Sequence, residues 1–114
     1  MKITRVSQKG SDIDVQLAEP AKLPDFAEYV AQLYGELPGN NDITAGDISL
    51  FMIPELMDQG KRVFGIQRGN ESNPDFQIWG NHSERTNYTI MTYHAQPEQQ
   101  QALYSKLESI CKPQ

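Results

Sequence analysis

Apolar and polar residues alternate along the first part of the chain. The alternation covers Ile3–Gln8 and Asp12–Ala18, and Lys9-Gly10-Ser11 separates the two segments. A period of two is typical of a strand with one buried face, and a short connection containing glycine favours a β-hairpin. The side chains predicted to share the buried face of the second strand are Ile13, Val15 and Leu17.

Helical spacing replaces this alternation in residues 23–37 and again in residues 96–111. Each segment has a proline in its first turn followed by an acidic residue, which suits the positive end of a helix dipole. The apolar stripe of the first segment is Phe26, Val30, Leu33 and Leu37. The stripe of the second is Leu103, Leu107, Ile110 and Cys111. The spacing predicts two amphipathic helices.

Three further segments are rich in β-branched and aromatic residues. They are Lys61–Arg68, Asp75–Gly80 and Arg85–Ala95, and turn-forming sequences separate them. This composition predicts a three-stranded antiparallel meander.

The apolar segment Ile48–Ile53 fits two structures. In a helix capped by Asp47, Pro54 would lie in the interior and would cost about 3 kcal/mol. In a strand, Pro54 would instead open a short helical turn, and the residue before it would be extended as it prefers. We favour the strand. Because nearly every position is apolar, both faces should be covered, either inside the protein's own fold or by a partner.

The element order is therefore ββ-α-β-βββ-α within a single domain spanning residues 1–114. Strands grouped together with few helices favour an α+β class over an alternating one. We predict an antiparallel sheet of five to six strands with two helices packed on one face.

Charge is distributed unevenly along the chain, whose net charge is -5. Between Lys22 and Lys61 there are seven acidic residues and no basic one, whereas the remainder has ten basic and eight acidic residues. Such a segment disfavours nucleic acid and anionic membranes and favours cationic partners. The alternative is that these carboxylates are ordinary solvated surface groups that maintain solubility.

Features that would direct the chain to a membrane or to export are missing from the sequence. The N-terminal residues contain no apolar signal core, and no apolar run approaches the roughly 20 residues of a membrane span. Cys111 is the single cysteine, so an intrachain disulfide is impossible. We expect a cytoplasmic protein.

Candidate catalytic residues are few. His82 and His94, with Asp75 and Glu84 nearby, form no recognised metal-ligand or acid-base spacing. Cys111 ends a predicted helix, where the dipole disfavours a reactive thiolate and favours a packed structural role. Glycine-rich phosphate loops and nucleophile elbows are missing. We expect no cofactor and no metal.

The C-terminal segment YTIMTYHAQPEQQQALYSKLESI, residues 88–110, is a long aromatic strand leading through an acidic turn into a closing helix. It resembles the ending of the PsbP, Mog1 and DcrB-like group of small α+β domains. That resemblance implies an adaptor or accessory protein, such as a chaperone for secreted effectors, and it carries no catalytic motif.

These observations predict a non-enzymatic acidic binding protein. In size, charge and lack of catalytic residues the chain is similar to bacterial immunity proteins that neutralise cationic nuclease toxins. The carboxylates predicted to meet a toxin's lysines and arginines are Asp42, Asp47, Glu55 and Asp58. The predicted apolar anchors are Phe51, Met52 and Leu56. Two alternatives are an adaptor that binds an apolar segment and an enzyme that uses His82 and His94.

Overall fold

A computed structural model describes residues 1–37, 48–52, 61–68, 74–81 and 85–111. Residues 48–52, 61–68 and 81 are described by their backbone alone. The strands are β1 (Ile3–Lys9), β2 (Asp12–Leu17), β3 (Ile48–Met52), β4 (Lys61–Arg68), β5 (Phe76–Asn81) and β6 (Asn87–Thr92). The helices are α1 (Leu23–Gly35) and α2 (Pro97–Ile110).

The predicted α+β class is confirmed. Strands β1, β2, β5 and β6, whose side chains are described except at Asn81, form an antiparallel sheet that packs with the two helices. The backbones of β4 and β3 continue the antiparallel pairing beyond β5, so the strands lie in the order β1-β2-β6-β5-β4-β3.

The predicted hairpin and meander both form, and β6 joins them by pairing with β2. Gly10 has a φ of 63° in the hairpin turn, a conformation that glycine adopts without steric cost. Across the join, Val15 lies opposite Tyr88 and Ile13 lies opposite Ile90. These pairs place buried side chains of distant segments in a single sheet face.

One hydrophobic core includes residues from both helices and from the sheet. The Phe26 ring of α1 stacks on Tyr88 of β6 at 4.5 Å between centroids. The Tyr34 ring meets Phe76 of β5 edge to face at 5.0 Å. From α2, Leu103 and Leu107 are fully buried. The core thus consists of the alternate strand residues on one face of the sheet and the apolar stripes of the two helices.

The stripe predicted for the first helix is confirmed at Phe26, Val30 and Leu33, which are buried in α1. The fourth predicted position, Leu37, is also buried but lies beyond Gly35, where the helix ends. In α2, Leu103 and Leu107 are buried while Ile110 and Cys111 are half-buried against the core. The strand interpretation of Ile48–Ile53 is confirmed over Ile48–Met52. The predicted short helical turn after Pro54 lies outside the described residues. Neither described helix is long and apolar enough to cross a membrane.

Candidate functional site

The outer face of α1 carries a line of acidic side chains. Asp25 and Glu28 of the helix are exposed, as is Glu36, the residue that caps its C-terminal end, and the exposed Gln32 lies between Glu28 and Glu36. Their spacing of three, four and four residues puts all four on one side of the helix, opposite the buried stripe. We call these four residues the α1 acidic stripe. No basic residue occurs between positions 23 and 37, so within α1 no lysine or arginine interrupts the stripe.

Tyr29 lies beside this stripe and is half-buried against the core. Burial raises the pKa of the Tyr29 hydroxyl, and the negative charge of Glu36 raises it further. The neutral hydroxyl and the aromatic ring are therefore next to carboxylates. An amphipathic aromatic in this setting is the kind of side chain that interfaces favour.

Helix α1 lies on the same side of the molecule as β3, the strand in the acidic part of the sequence. The helix contacts β3, β4 and β5, whereas α2 contacts β1. Strands β3 and β1 end the described sheet at opposite sides. The acidic stripe thus belongs to the half of the molecule that contains β3, and Asp47 immediately precedes β3 in the sequence.

Most of the partner-binding residues predicted from sequence cannot be placed against this geometry. The predicted residues outside the described part of the chain are Asp42, Asp47, Glu55, Leu56 and Asp58. Phe51 and Met52 lie in β3, where their backbones pair with Gly65 and Phe64 of β4. Their role as anchors remains a prediction.

Sequence reasoning counted the acidic residues of α1 but did not select them as site residues. The signal was available, because the carboxylates recur at helical intervals on the side opposite Phe26 and Val30.

His94 and Asp75, two residues of the proposed histidine site, are connected through the backbone of Asp75. His94 is exposed, while Asp75 is buried and accepts a hydrogen bond at Oδ2 from the Tyr34 hydroxyl at 2.7 Å. The Asp75 carbonyl accepts the backbone N–H groups of Tyr93, His94 and Ala95 at 2.9, 3.2 and 3.2 Å. Asp75 therefore organises the end of β6 through its backbone. His82 and Glu84 lie outside the described residues.

In the part of the chain that the structure describes, no group of three His, Cys, Asp or Glu residues is arranged to hold a metal ion. Cys111, at the end of α2, is half-buried and packs against the core. This position is compatible with the structural role expected of it.

A polar depression on the sheet was not anticipated from the sequence. It lies over β1, β2 and β6 and is lined by Arg5, Ser7, Asp14, Gln16, Asn87 and Thr89. The Thr89 hydroxyl donates to Asp14 Oδ1 at 2.9 Å, so part of its surface is already internally paired. Its composition follows from strand alternation, since these positions alternate with the buried ones.

Comparison with known proteins assigns this chain to no family. No family model, no curated protein and no solved structure matches the chain. The likeness of residues 88–110 to PsbP, Mog1 and DcrB-like endings thus remains a prediction.

Proposed function

We propose that this protein is a non-enzymatic binding protein for a cationic partner. Its most concrete form is an immunity protein that caps the active site or the substrate-binding surface of a nuclease-type toxin. The observation that carries the proposal is the exposed α1 acidic stripe, which contains three carboxylates and no basic residue.

The physical reason begins with the toxin. A nuclease binds a phosphate backbone largely through lysines and arginines, so its substrate surface is positive. A protein with an acidic face is attracted to that surface, and opposite fields accelerate encounter by about 10- to 1,000-fold. Carboxylates can then occupy positions that phosphates would take. A helix face that carries carboxylates and no lysine or arginine is suited to this task.

The proposal extends to the residues predicted from sequence. In it, β3 and β4 complete a sheet of five to six strands with both helices on one face, so that α1 and β3 contribute to one binding surface. The acidic residues on either side of β3 in the sequence would enlarge the negative field: Asp42, Asp47, Glu55 and Asp58. Phe51, Met52 and Leu56 would supply apolar anchors, which usually contribute most of the binding energy. This surface would act in the cytoplasm.

The test begins with a genetic screen for the partner. Each reading frame adjacent to the gene is expressed alone and together with this chain, and a frame whose toxicity the chain relieves identifies the partner. The association rate of the two purified proteins is then measured by stopped-flow fluorescence over a range of salt concentrations.

Two triple variants make the kinetic test specific. Asp25→Asn, Glu28→Gln and Glu36→Gln together remove the stripe's charge. Glu19→Gln, Glu98→Gln and Glu108→Gln remove the same charge from exposed positions elsewhere. We expect the first set to slow association roughly tenfold at low salt and to flatten its salt dependence, and the second to change the rate less than about twofold. Equal effects of the two sets would refute a role for α1.

An adaptor or effector chaperone remains the second candidate, supported by the resemblance of residues 88–110. Such a protein would bind an apolar segment, so complex formation would depend little on added salt. The salt series above therefore separates the two functions with the same measurement.

A further inference from the structure

Strand β1 ends the described sheet on the side opposite β3, and β2 is its neighbour there. A strand in this position directs backbone N–H and C=O groups outward, where another strand can pair with them. Residues 1–11 contain three basic residues, Lys2, Arg5 and Lys9, and no acidic one. All three basic side chains are exposed. The charged side chains of β1 itself are therefore all basic, while the neighbouring β2 contributes Asp12 opposite Lys9 and Asp14 opposite Ser7.

A groove opens beside the same edge. The register between β1 and β2 shifts between Ile3 and Arg5, which marks an irregularity or bulge in the strand. Next to it, the C-terminal end of α2 and the edge of the sheet border an open groove with a volume of about 700 Å³. Its apolar lining includes Val6, Leu17 and Cys111, and its charged lining is Arg5 and Glu108.

The charges decide which occupant fits. A second copy that paired its own β1 here would bring cationic side chains into proximity with one another, which disfavours self-pairing. An acidic strand would instead place its carboxylates near Arg5 and Lys9. At the groove itself Glu108 opposes a carboxylate, so an apolar side chain is favoured there.

We propose that β1 is a docking site for an extended segment of a partner protein in which acidic and apolar residues alternate. The segment adds to the sheet as a further strand, its apolar side chain enters the groove, and its carboxylates contact Arg5 and Lys9. Backbone pairing supplies affinity in this mode of recognition, while the groove and the charges supply specificity. The site does not use α1, so it is independent of the binding surface proposed above.

The experiment uses the full chain and two dye-labelled peptides of eight residues. One alternates valine with glutamate and the other alternates valine with lysine, so the two have equal length and equal β-propensity at the valines. Binding is measured by fluorescence anisotropy at low salt, and hydrogen exchange of the backbone amides is followed by NMR. We expect binding of the glutamate peptide alone, with slower exchange at alternate amides of β1.

Single charge reversals provide the matched control. Arg5→Glu and Lys22→Glu change the net charge equally, and both residues are exposed, but Lys22 lies outside β1. We expect Arg5→Glu to weaken binding roughly tenfold, because attraction is lost and repulsion gained, and Lys22→Glu to weaken it less than about twofold. Circular dichroism and thermal unfolding verify that both variants are folded.

Three results would overturn the proposal. The first is equal binding of the lysine peptide. The second is an equal effect of the two reversals, which would indicate attraction to net charge alone. The third is amide protection outside β1, or protection of β1 that rises with protein concentration in the absence of peptide and so identifies a second copy as the occupant.

Discussion

The two helices begin alike and differ in almost everything else. Both have a proline in the first turn followed by an acidic residue, and both contribute to the same core. Helix α1 buries two aromatic rings, Phe26 and Tyr34, whereas α2 buries leucines and one polar side chain, Gln100. The exposed face of α1 is acidic, while α2 carries Lys106 between Glu98 and Glu108.

The buried face of α1 contributes to stability, and the opposite, exposed face carries the charge on which the proposed function depends. The inner face contacts the sheet through rings, and the outer face carries the charge proposed to attract a partner. Substitutions on one face should therefore leave the other property unchanged. Helix α2 provides the comparison, because it packs on the same core without a uniform charge.

The largest expected effect comes from removing an aromatic ring of α1. Phe26→Ala should lower the free energy of unfolding by about 4 kcal/mol, because a fully buried ring stacked on Tyr88 leaves a cavity. Leu107→Ala in α2 should lower it by about 3 kcal/mol. Urea unfolding monitored by circular dichroism measures both, and a larger loss for Leu107→Ala would contradict the ranking.

A medium effect is expected from the hydroxyl group of Tyr34. Tyr34→Phe keeps the ring against Phe76 and removes the donor to the buried Asp75 carboxyl, which should cost about 1–3 kcal/mol. The matched change in α2 is Tyr104→Phe. Because Tyr104 is partly exposed, the free energy of unfolding should change much less there. Equal losses in the two variants would show that the buried Tyr34 hydrogen bond contributes no more to stability than the partly exposed Tyr104 hydroxyl.

The smallest effects concern the helix starts. At α2 the Gln96 backbone N–H donates to Gln99 Oε1 at 2.9 Å, whereas at α1 Lys22 makes no side-chain cap. Gln99→Ala should therefore destabilise the protein by about 0.5–1 kcal/mol, and Lys22→Ser should stabilise it by a similar amount. Thermal unfolding measures both. A loss of stability in Lys22→Ser would indicate that the lysine is favourable for another reason.

Local patterns predicted much of the fold. Alternation located β1 and β2, helical periodicity located α1 and α2, and the cost of an interior Pro54 correctly favoured a strand at Ile48–Met52. Each of these features depends on residues close together in the chain. The acidic stripe also follows from local spacing, because its residues recur at helical intervals opposite the buried stripe.

Long-range features could not be predicted in the same way. The pairing of β2 with β6 joins residues separated by more than 70 positions, such as Val15 and Tyr88. Gly80 shows the difficulty, because a Cβ atom there would overlap the Tyr88 ring. In the sequence this glycine resembles a turn signal, and its packing role becomes visible only when β5 and β6 are paired. The polar depression likewise requires three strands that are distant in the chain.

The carbonyl of Asp75 has a consequence for how two molecules of this protein could interact. The link between β6 and α2 is four residues long, and three of its N–H groups bond to that one oxygen. A link held in this way resists opening into the extended hinge that exchange of a terminal helix between copies requires. Concentrated samples should therefore resist domain swapping through α2, and replacing Ala95 with proline, which removes one of these donors, should weaken that resistance.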